Sequence, residues 1–293
     1  KYFSAMKKFF IIITTLLFSL NANAEVIKNK LKNELTKKSN DYISGSLESI
    51  FPTAEVSLSS GTSDKVTGSI LFVSPLSDIN NKENTLFTQG SIYFSDDNRE
   101  TLNLGIGNRK LLINDKLMLG ANIFYDNEID YGHKRASFGV EAISSVGSLR
   151  ANQYYAISGA KDVGEDQEKA LDGSDIEVGV PLPYLPWTNF YLRTFEWEGV
   201  DGVADLKGDE MSLEAKLPLG LNLAVGKRSN DGLTEDQEFI KLTWTCCNNK
   251  EQNFGISDKA YSLTSVADQR FQKVRRQNLI VKQSDLTLSI IGF

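Results

Sequence analysis

The chain has 293 residues, 41% of them hydrophobic, and its 32 basic and 38 acidic side chains give a formal net charge of -6. A surface that binds nucleic acid needs a dense excess of lysine and arginine, so this balance argues against a nucleic-acid partner. Two cysteines are too few for a disulfide framework in a chain of this size.

The N-terminal sequence is typical of a secretory signal peptide. Two lysines precede an apolar run of twelve residues at 9–20, and Ala-Asn-Ala at 22–24 supplies a small-residue cleavage site. A membrane-spanning helix needs about 20 apolar residues, so this run is too short for an anchor. We expect residues 1–24 to be removed on export, and residues 1–5 to lie ahead of the start at Met6.

Residues 25–51 precede the first predicted strand. Val26 or Ile27 stands at helical spacing with Leu31 and Leu35, which predicts a short amphipathic helix. Because a signal peptide directs the chain out of the cytoplasm, we expect this helix and the N-terminus to lie in the periplasm.

Twelve stretches of alternating apolar and polar residues follow, each about nine to eleven residues long. They lie at 53–60, 65–73, 86–94, 100–109, 116–125, 134–144, 148–157, 174–181, 188–197, 209–217, 220–228 and 237–246. In each stretch one line of side chains is apolar, and the opposite line is rich in glycine, serine, asparagine and ionic groups. Strands of this length cross an outer membrane at a tilt, and an even number of them is typical of a closed barrel.

Alternation alone does not separate a membrane barrel from a soluble β-sandwich, but the connections do. From the third strand onward, long polar links mostly alternate with short turns, as outer loops and periplasmic turns do in a barrel. The link at 74–85 breaks this pattern. Aromatic side chains near strand ends suit the two interfacial girdles, among them Phe72, Phe94, Tyr125, Tyr184, Trp187, Trp197 and Trp244. We therefore predict an all-β, 12-stranded antiparallel transmembrane β-barrel of the bacterial outer membrane over residues 52–247.

In such a barrel the apolar line faces lipid and the polar line faces the lumen. Seven charged side chains are candidates for the lumen: Glu141, Glu177, Arg193, Glu214, Lys216, Arg228 and Lys241.

No catalytic, cofactor-binding or metal-binding residues are predicted. His133 lies in a predicted outer loop without a nucleophile motif, so we expect a solvated side chain and no enzyme, rather than a rim hydrolase. The acidic stretch at 162–175 lacks the spacing of an EF-hand, and we expect a solvated outer loop there. For the adjacent Cys246 and Cys247 we favour a plain surface pair over a vicinal disulfide or a metal site.

Several motifs resemble the β-domain of intimin and invasin, the inverse autotransporters. "LFTQGSIYFSDDNRETLNLGIGNRKLL" at 86–112 and "LMLGANIFYDNEIDYGHKRASFGVEA" at 117–142 are similar to that family's Gln-Gly, LNLGxGxR and GxNxFYD strands. "NQYYAISGAKD", "GSDIEVGVPLPYLPW" and "RFQKVRRQNLIVKQ" are similar to its later strands and its terminal linker. The resemblance covers the sequence from about residue 40 to residue 283.

The resemblance implies a translocator of type V secretion, in which the segment after the barrel threads back through the lumen and carries a C-terminal adhesin outward. Here that segment is residues 248–283, a linker or helix. Four of its cations are expected to meet lumenal carboxylates such as Glu141, Glu177 and Glu214; they are Arg270, Lys273, Arg275 and Arg276. A solvated basic helix in the periplasm is the alternative. Residues 284–293 read as a truncated tail, so the adhesin is expected to be missing.

We therefore expect an outer-membrane translocator barrel whose passenger is absent or truncated, or else a stand-alone outer-membrane channel or structural barrel. The content of the lumen separates these functions. Expected partners are outer-membrane lipids and lipopolysaccharide, and the resemblance also implies the barrel-assembly machinery and periplasmic chaperones. Without a passenger no host-receptor binding is expected, and no cofactor is expected.

Overall fold

The computed structural model describes residues 51–62, 66–95, 99–231, 236–246, 254–284 and 287–289. The predicted signal peptide, the predicted N-terminal helix and Cys247 lie outside these residues. The domain bounds drawn through those segments therefore stay predictions.

The described residues form sixteen strands. In chain order they are β1 (Thr53–Gly61), β2 (Val66–Pro75), β3 (Asn84–Ser95), β4 (Glu100–Leu112), β5 (Leu117–Glu128), β6 (Lys134–Ser144), β7 (Gly147–Ala156), β8 (Lys161–Val163), β9 (Asp166–Ala170), β10 (Gly173–Leu182), β11 (Leu185–Trp197), β12 (Leu206–Lys216), β13 (Leu221–Asn230), β14 (Gln237–Cys246), β15 (Lys282–Ser284) and β16 (Thr287–Ser289).

Twelve of these strands, β1–β7 and β10–β14, close into one antiparallel barrel. The ring is completed where β1 pairs with β14, with Leu58 opposite Leu242. Closure leaves no strand edge with unpaired backbone groups, which a lipid environment would penalise heavily. The predicted 12-stranded barrel is confirmed, and the predicted strand ends differ from the observed ones by at most three residues.

The barrel is apolar outside and polar inside. On β4, Leu104 is 59% exposed whereas its neighbour Asn103 is 0% exposed, and this alternation continues through Ile106 and Arg109. A soluble sandwich would bury the leucine line instead. The apolar line of the barrel strands therefore faces outward, as the sequence predicts.

Two inward glycines make room for aromatic rings in the lumen. A Cβ atom at Gly105 would lie 2.3 Å from the ring of Phe124, and one at Gly107 would lie 2.4 Å from the ring of Phe87. Both contacts are far shorter than van der Waals distance. Glycine in these strand interiors is thus explained by the close approach of a ring across the wall.

The two ends of the barrel differ in their connections. At the end that we call the short-turn end, β4–β5, β6–β7, β10–β11 and β12–β13 are joined by tight turns in which several residues have positive φ, such as Asn114 (53°) and Tyr184 (64°). The opposite end, which we call the long-loop end, carries the loops at 129–133, 157–172 and 198–205.

A second, small sheet lies at the long-loop end, in the order β16-β15-β9-β8. β8 and β9 form a hairpin within the loop at 157–172, and β15 pairs with β9. The acidic stretch that was expected to be a solvated loop therefore contains a hairpin, and Leu171 beside it is 0% exposed.

For the segment after the barrel a linker or a helix was expected, and the described residues 254–281 form a linker, without an α-helix and with a 3-10 turn at Ala267–Gln269. One further expectation is wrong. Cys246 is disulfide-bonded rather than part of a plain surface pair.

Among the described residues, no helix is both long enough and apolar enough to cross a lipid bilayer.

Candidate functional site

One extended segment crosses the interior of the barrel from end to end. It first runs along the short-turn end, where Thr264 N donates to Ser145 Oγ at 2.8 Å. It enters the lumen at Val266, whose N–H donates to Asp115 O at 2.7 Å. It leaves at the long-loop end, where Leu171 N donates to Val281 O at 3.1 Å. We call residues 266–281 the linker.

Side chains of the barrel wall hold the backbone of the linker. Arg109 Nη1 donates to the carbonyl oxygens of Arg270 and Gln272, at 2.8 and 2.6 Å. Further donors to linker carbonyls are Thr53, Asn103, Arg135 and Asn152. In an α-helix these carbonyls would accept bonds from N–H groups four residues later. The wall takes those bonds instead, which is why the linker stays extended and forms no α-helix.

Two adjacent linker arginines bind opposite sides of the wall. Arg275 Nε donates to Glu177 Oε1 at 2.7 Å, and its Nη1 donates to Glu214 Oε2 at 3.0 Å. Arg276 instead binds both oxygens of Asp126, at 2.8 and 2.6 Å. In an extended chain neighbouring side chains point in opposite directions, so one Arg-Arg pair reaches two walls.

Asp126 is the most enclosed carboxylate of this network. Its side chain and that of Arg276 are both 0% exposed, and Arg135 Nε donates to it at 2.9 Å. Sequence reasoning missed Asp126 because the predicted strand ended at residue 125, whereas β5 continues to Glu128. The residue continues the inward line of Asn122 and Phe124, and that alternation is the signal that could have found it.

The other two linker cations differ in their contacts. Lys273 Nζ donates to Glu55 Oε2 at 2.6 Å. Arg270 has carbonyl partners, Ile79 at 3.3 Å and Asn81 at 3.2 Å, in the connection between β2 and β3. That connection is the long link at the short-turn end which broke the sequence pattern, and its carbonyls hold the linker near its point of entrance.

The remaining predicted lumenal residues bind the wall or line cavities. Glu141 accepts from Arg109 Nε of the barrel wall at 2.6 Å. Arg193 and Arg228 share Glu210 Oε2, each at 2.7 Å. Lys216 lines a cavity of about 420 Å³ at the short-turn end. Lys241 lines a smaller cavity inside the barrel.

Apolar contacts hold the linker at three levels. Val266 and Ala267 pack with a cluster at the short-turn end that contains Met118. Phe271 and Val274 pack in mid-lumen with a cluster that contains Phe124. Val281 packs at the long-loop end. Burial of each valine or phenylalanine side chain contributes about 1.5–3 kcal/mol, so the linker is held by packing as well as by charge.

The linker leaves little free space in mid-lumen. The cavity beside Lys273 and Arg275 measures about 90 Å³. A cavity of this volume admits a small group of water molecules. The wider cavity lies at the short-turn end, outside the level of the ion pairs.

His133 is not the solvated loop side chain that was expected. It is 0% exposed, and its Nε2 lies 3.3 Å from Glu168 Oε2. Although burial alone raises the pKa of Glu168, the neighbouring His133 and Arg99 hold that pKa well below the ordinary value. The histidine thus lies beside the Arg99–Glu168 ion pair at the long-loop end. Within the part of the chain that the structure describes, no three His, Cys, Asp or Glu side chains are grouped to hold a metal ion.

Comparison with known proteins agrees with this architecture. The family model described as "Inverse autotransporter, beta-domain" matches residues 14–278. The "Putative attaching and effacing protein homolog" of Escherichia coli (strain K12) is 35% identical over 119 residues, 40% of this chain and 40% of that protein. The "Inverse autotransporter adhesin YeeJ" of the same strain is 24% identical over 212 residues, 68% of this chain and 9% of that protein. The matches therefore span less than half the length of both relatives.

A solved structure from the study "Unveiling the Mechanism Behind the in-meso Crystallization of Membrane Proteins" has the same fold. It is 23% identical with a TM-score of 0.68, and the match covers 80% of this chain and 99% of that chain. At this level of identity the likeness concerns the fold alone.

Proposed function

The chain belongs to the inverse autotransporter β-domain family, and we propose that its outer-membrane barrel exports the polypeptide that follows the linker and then retains the linker in the lumen. The family membership supports a translocator-type barrel. Export of a passenger is the further step, and it is argued from the path of the linker.

The observation that carries the proposal is the end-to-end passage of the linker. β14 ends at the short-turn end, because Cys246 pairs with Ala54 at the start of β1. Val281 nevertheless lies at the long-loop end, against Leu171. A polar chain that connects these points has a path through the lumen, whereas a path outside the barrel would expose its backbone to lipid. Anything attached beyond residue 284 therefore starts at the long-loop end.

The proposal includes an orientation. Outer-membrane barrels have short periplasmic turns and longer outer loops. On this basis the short-turn end and the N-terminus face the periplasm, and the long-loop end faces the outside of the cell. The apolar outward line contacts the acyl chains of lipid and lipopolysaccharide. Assembly would then use the general machinery for outer-membrane barrels and periplasmic chaperones.

The filled lumen favours export over the stand-alone channel. A channel needs a continuous aqueous path, but the ion pairs of Arg275 and Arg276 span the interior from Glu177 to Asp126. The cavity beside Arg275 measures about 90 Å³. A retained linker explains both observations.

An epitope appended after Phe293 in the full chain tests the proposal in intact Escherichia coli cells. We expect an antibody to label this epitope without permeabilisation of the outer membrane. A matched epitope at Leu219, in the exposed turn between β12 and β13, is expected to need permeabilisation, and one at Asp231 in a loop of the opposite end is not. Export is refuted if the Asp231 epitope is labelled on intact cells while the C-terminal epitope is not.

A further inference from the structure

Where the linker leaves the lumen, residues 282–284 form strand β15. This strand joins the small sheet that the loop at 157–172 provides. Lys282, Gln283 and Ser284 pair antiparallel with Ala170, Lys169 and Glu168 of β9. This is strand addition to the β8–β9 hairpin, in which main-chain bonds supply affinity and side-chain pockets supply specificity. Three consecutive side chains, those of Val281, Lys282 and Gln283, each have such a pocket.

The first pocket is apolar. Val281 is 0% exposed in a cluster of buried residues from the loops and strand ends, with Val200 and Val203 packed against it. The buried members besides Val281 are Tyr154, Leu171, Phe195, Trp197 and Leu206. Polar or charged side chains at position 281 would lose their hydration there without gaining a partner.

The second pocket is anionic. Lys282 Nζ donates to Glu128, whose other oxygen accepts from Arg99 Nη2 at 2.6 Å. Arg99 also binds Glu168 at 2.6 Å, which links the pocket to β9. Glu128 is 1% exposed, so loss of Lys282 would leave a buried carboxylate with only one of its two cationic partners.

The third pocket recognises a primary amide. Gln283 Oε1 accepts from Val200 N at 2.9 Å, and its Nε2 donates to Val200 O at 3.0 Å. The side chain is 3% exposed and satisfies both backbone groups of one residue in the loop between β11 and β12. A carboxylate of the same size would retain the first bond and lose the second, because it has no proton to donate.

From these contacts we infer that the long-loop end is a sequence-specific binding site for one extended peptide, the segment Val281–Ser284 of this chain, and that this site fixes where threading stops. The inference rests on the proposed function, since a chain that is exported must come to rest at one register. We call this site the exit site.

Side-chain alternation explains why the exit site selects one register. A shift by one residue would turn Lys282 toward the wrong face of the sheet. After a shift by two residues, Ile280 or Ser284 would stand where Lys282 meets Glu128, and Val200 would lose its amide partner. Neither shifted register pairs the buried polar groups, so each costs free energy that the observed register does not.

Hydrogen exchange on the full chain in lipid vesicles tests the exit site. Gln283→Glu is expected to accelerate exchange of the Leu171 amide and the β9 amides at least tenfold, while the β4 amides keep their protection. Gln272→Glu is the matched control, because Gln272 lies in the linker and its Nε2 has no hydrogen-bond partner. It is expected to leave exchange at Leu171 unchanged.

The outcomes separate this inference from the proposed function. Unchanged exchange at Leu171 in Gln283→Glu, or equal acceleration in both variants, would overturn the exit site. If the C-terminal epitope stays inside the cell although Leu171 is protected and sensitive to Gln283→Glu, export fails and the exit site stands as a binding site within the chain.

Discussion

The chain is held differently before it enters the lumen and where it leaves the lumen. At the short-turn end, residues 254–265 lie mostly exposed, with Ile256 at 80%, beside the cavity of about 420 Å³. At the long-loop end, Val281 is 0% exposed, and paired strands, an ion pair and a side-chain amide hold the chain. A segment that has to pass through the lumen and then remain there needs its strong contacts near the exit. The difference thus supports retention after export.

The largest expected effect concerns Asp126, in the exit half of the lumen. Asp126→Ala leaves Arg135 and Arg276 buried without their shared carboxylate, and such a loss costs about 3–5 kcal/mol. Urea unfolding in lipid vesicles measures the free energy of unfolding of each variant. Asp201→Ala, which breaks an exposed pair with Lys169, should cost less than about 1 kcal/mol. Similar losses in both variants would contradict the conclusion that the buried ion pairs of Asp126 stabilise the protein more than the exposed pair of Asp201.

A smaller loss of unfolding free energy is expected at Gly105, where β4 lies close to the ring of Phe124. Gly105→Ala forces a Cβ atom against Phe124, whose ring lies 4.4 Å from the guanidinium carbon of Arg276, and overpacking of this kind costs about 1–3 kcal/mol. Gly90→Ala is the control, since no atom lies within 4 Å of its added Cβ. Equal unfolding free energies for the two variants would refute the close packing.

Acid should loosen the exit site. The pKa of Glu168 lies below its ordinary value of about 4.3 because His133, Arg99 and Lys282 favour the carboxylate over its burial. Its contribution to stability is therefore complete above the ordinary pKa and is lost as the pH falls through the lower folded value. Exchange at the Leu171 amide, corrected for its intrinsic pH dependence, should rise in that window, and Glu168→Gln should remove the rise.

The smallest effect is expected at the entrance. Ser145 Oγ accepts from Thr264 N at 2.8 Å and donates to Ser262 O at 2.9 Å, and both bonds are exposed. Ser145→Ala should change the unfolding free energy by no more than about 0.5–1.5 kcal/mol while it speeds exchange at the Thr264 amide. An effect as large as that of Asp126→Ala would remove the contrast between the two ends.

The barrel itself could be predicted from sequence, because its signals are local. Alternation along β4 and β5 fixes which side chains face lipid, and short turns such as the one at Asn114 mark the strand ends. The closing pair between β1 and β14 then follows from the count of strands.

The contacts of the linker could not be predicted in the same way. Its composition suits a helix, yet donors as distant in sequence as Arg109 and Arg135 claim its carbonyls and keep it extended. Asp126 and Glu128 lie beyond the predicted end of their strand, so they were read as loop residues. In the small sheet at the long-loop end, β9 pairs with β15, whose residues come more than a hundred positions later. No local sequence pattern predicts that pairing.

Conductance of the full chain in planar lipid bilayers tests the central claim, that the linker fills the lumen and charge holds it there. Wild-type protein should be closed for most of the time. Arg275→Glu with Arg276→Glu should open it, since the new carboxylates repel Glu177, Glu214 and Asp126, whereas Lys227→Glu in an exposed pair should leave it closed. A double variant that is folded and as closed as the wild type would contradict the account.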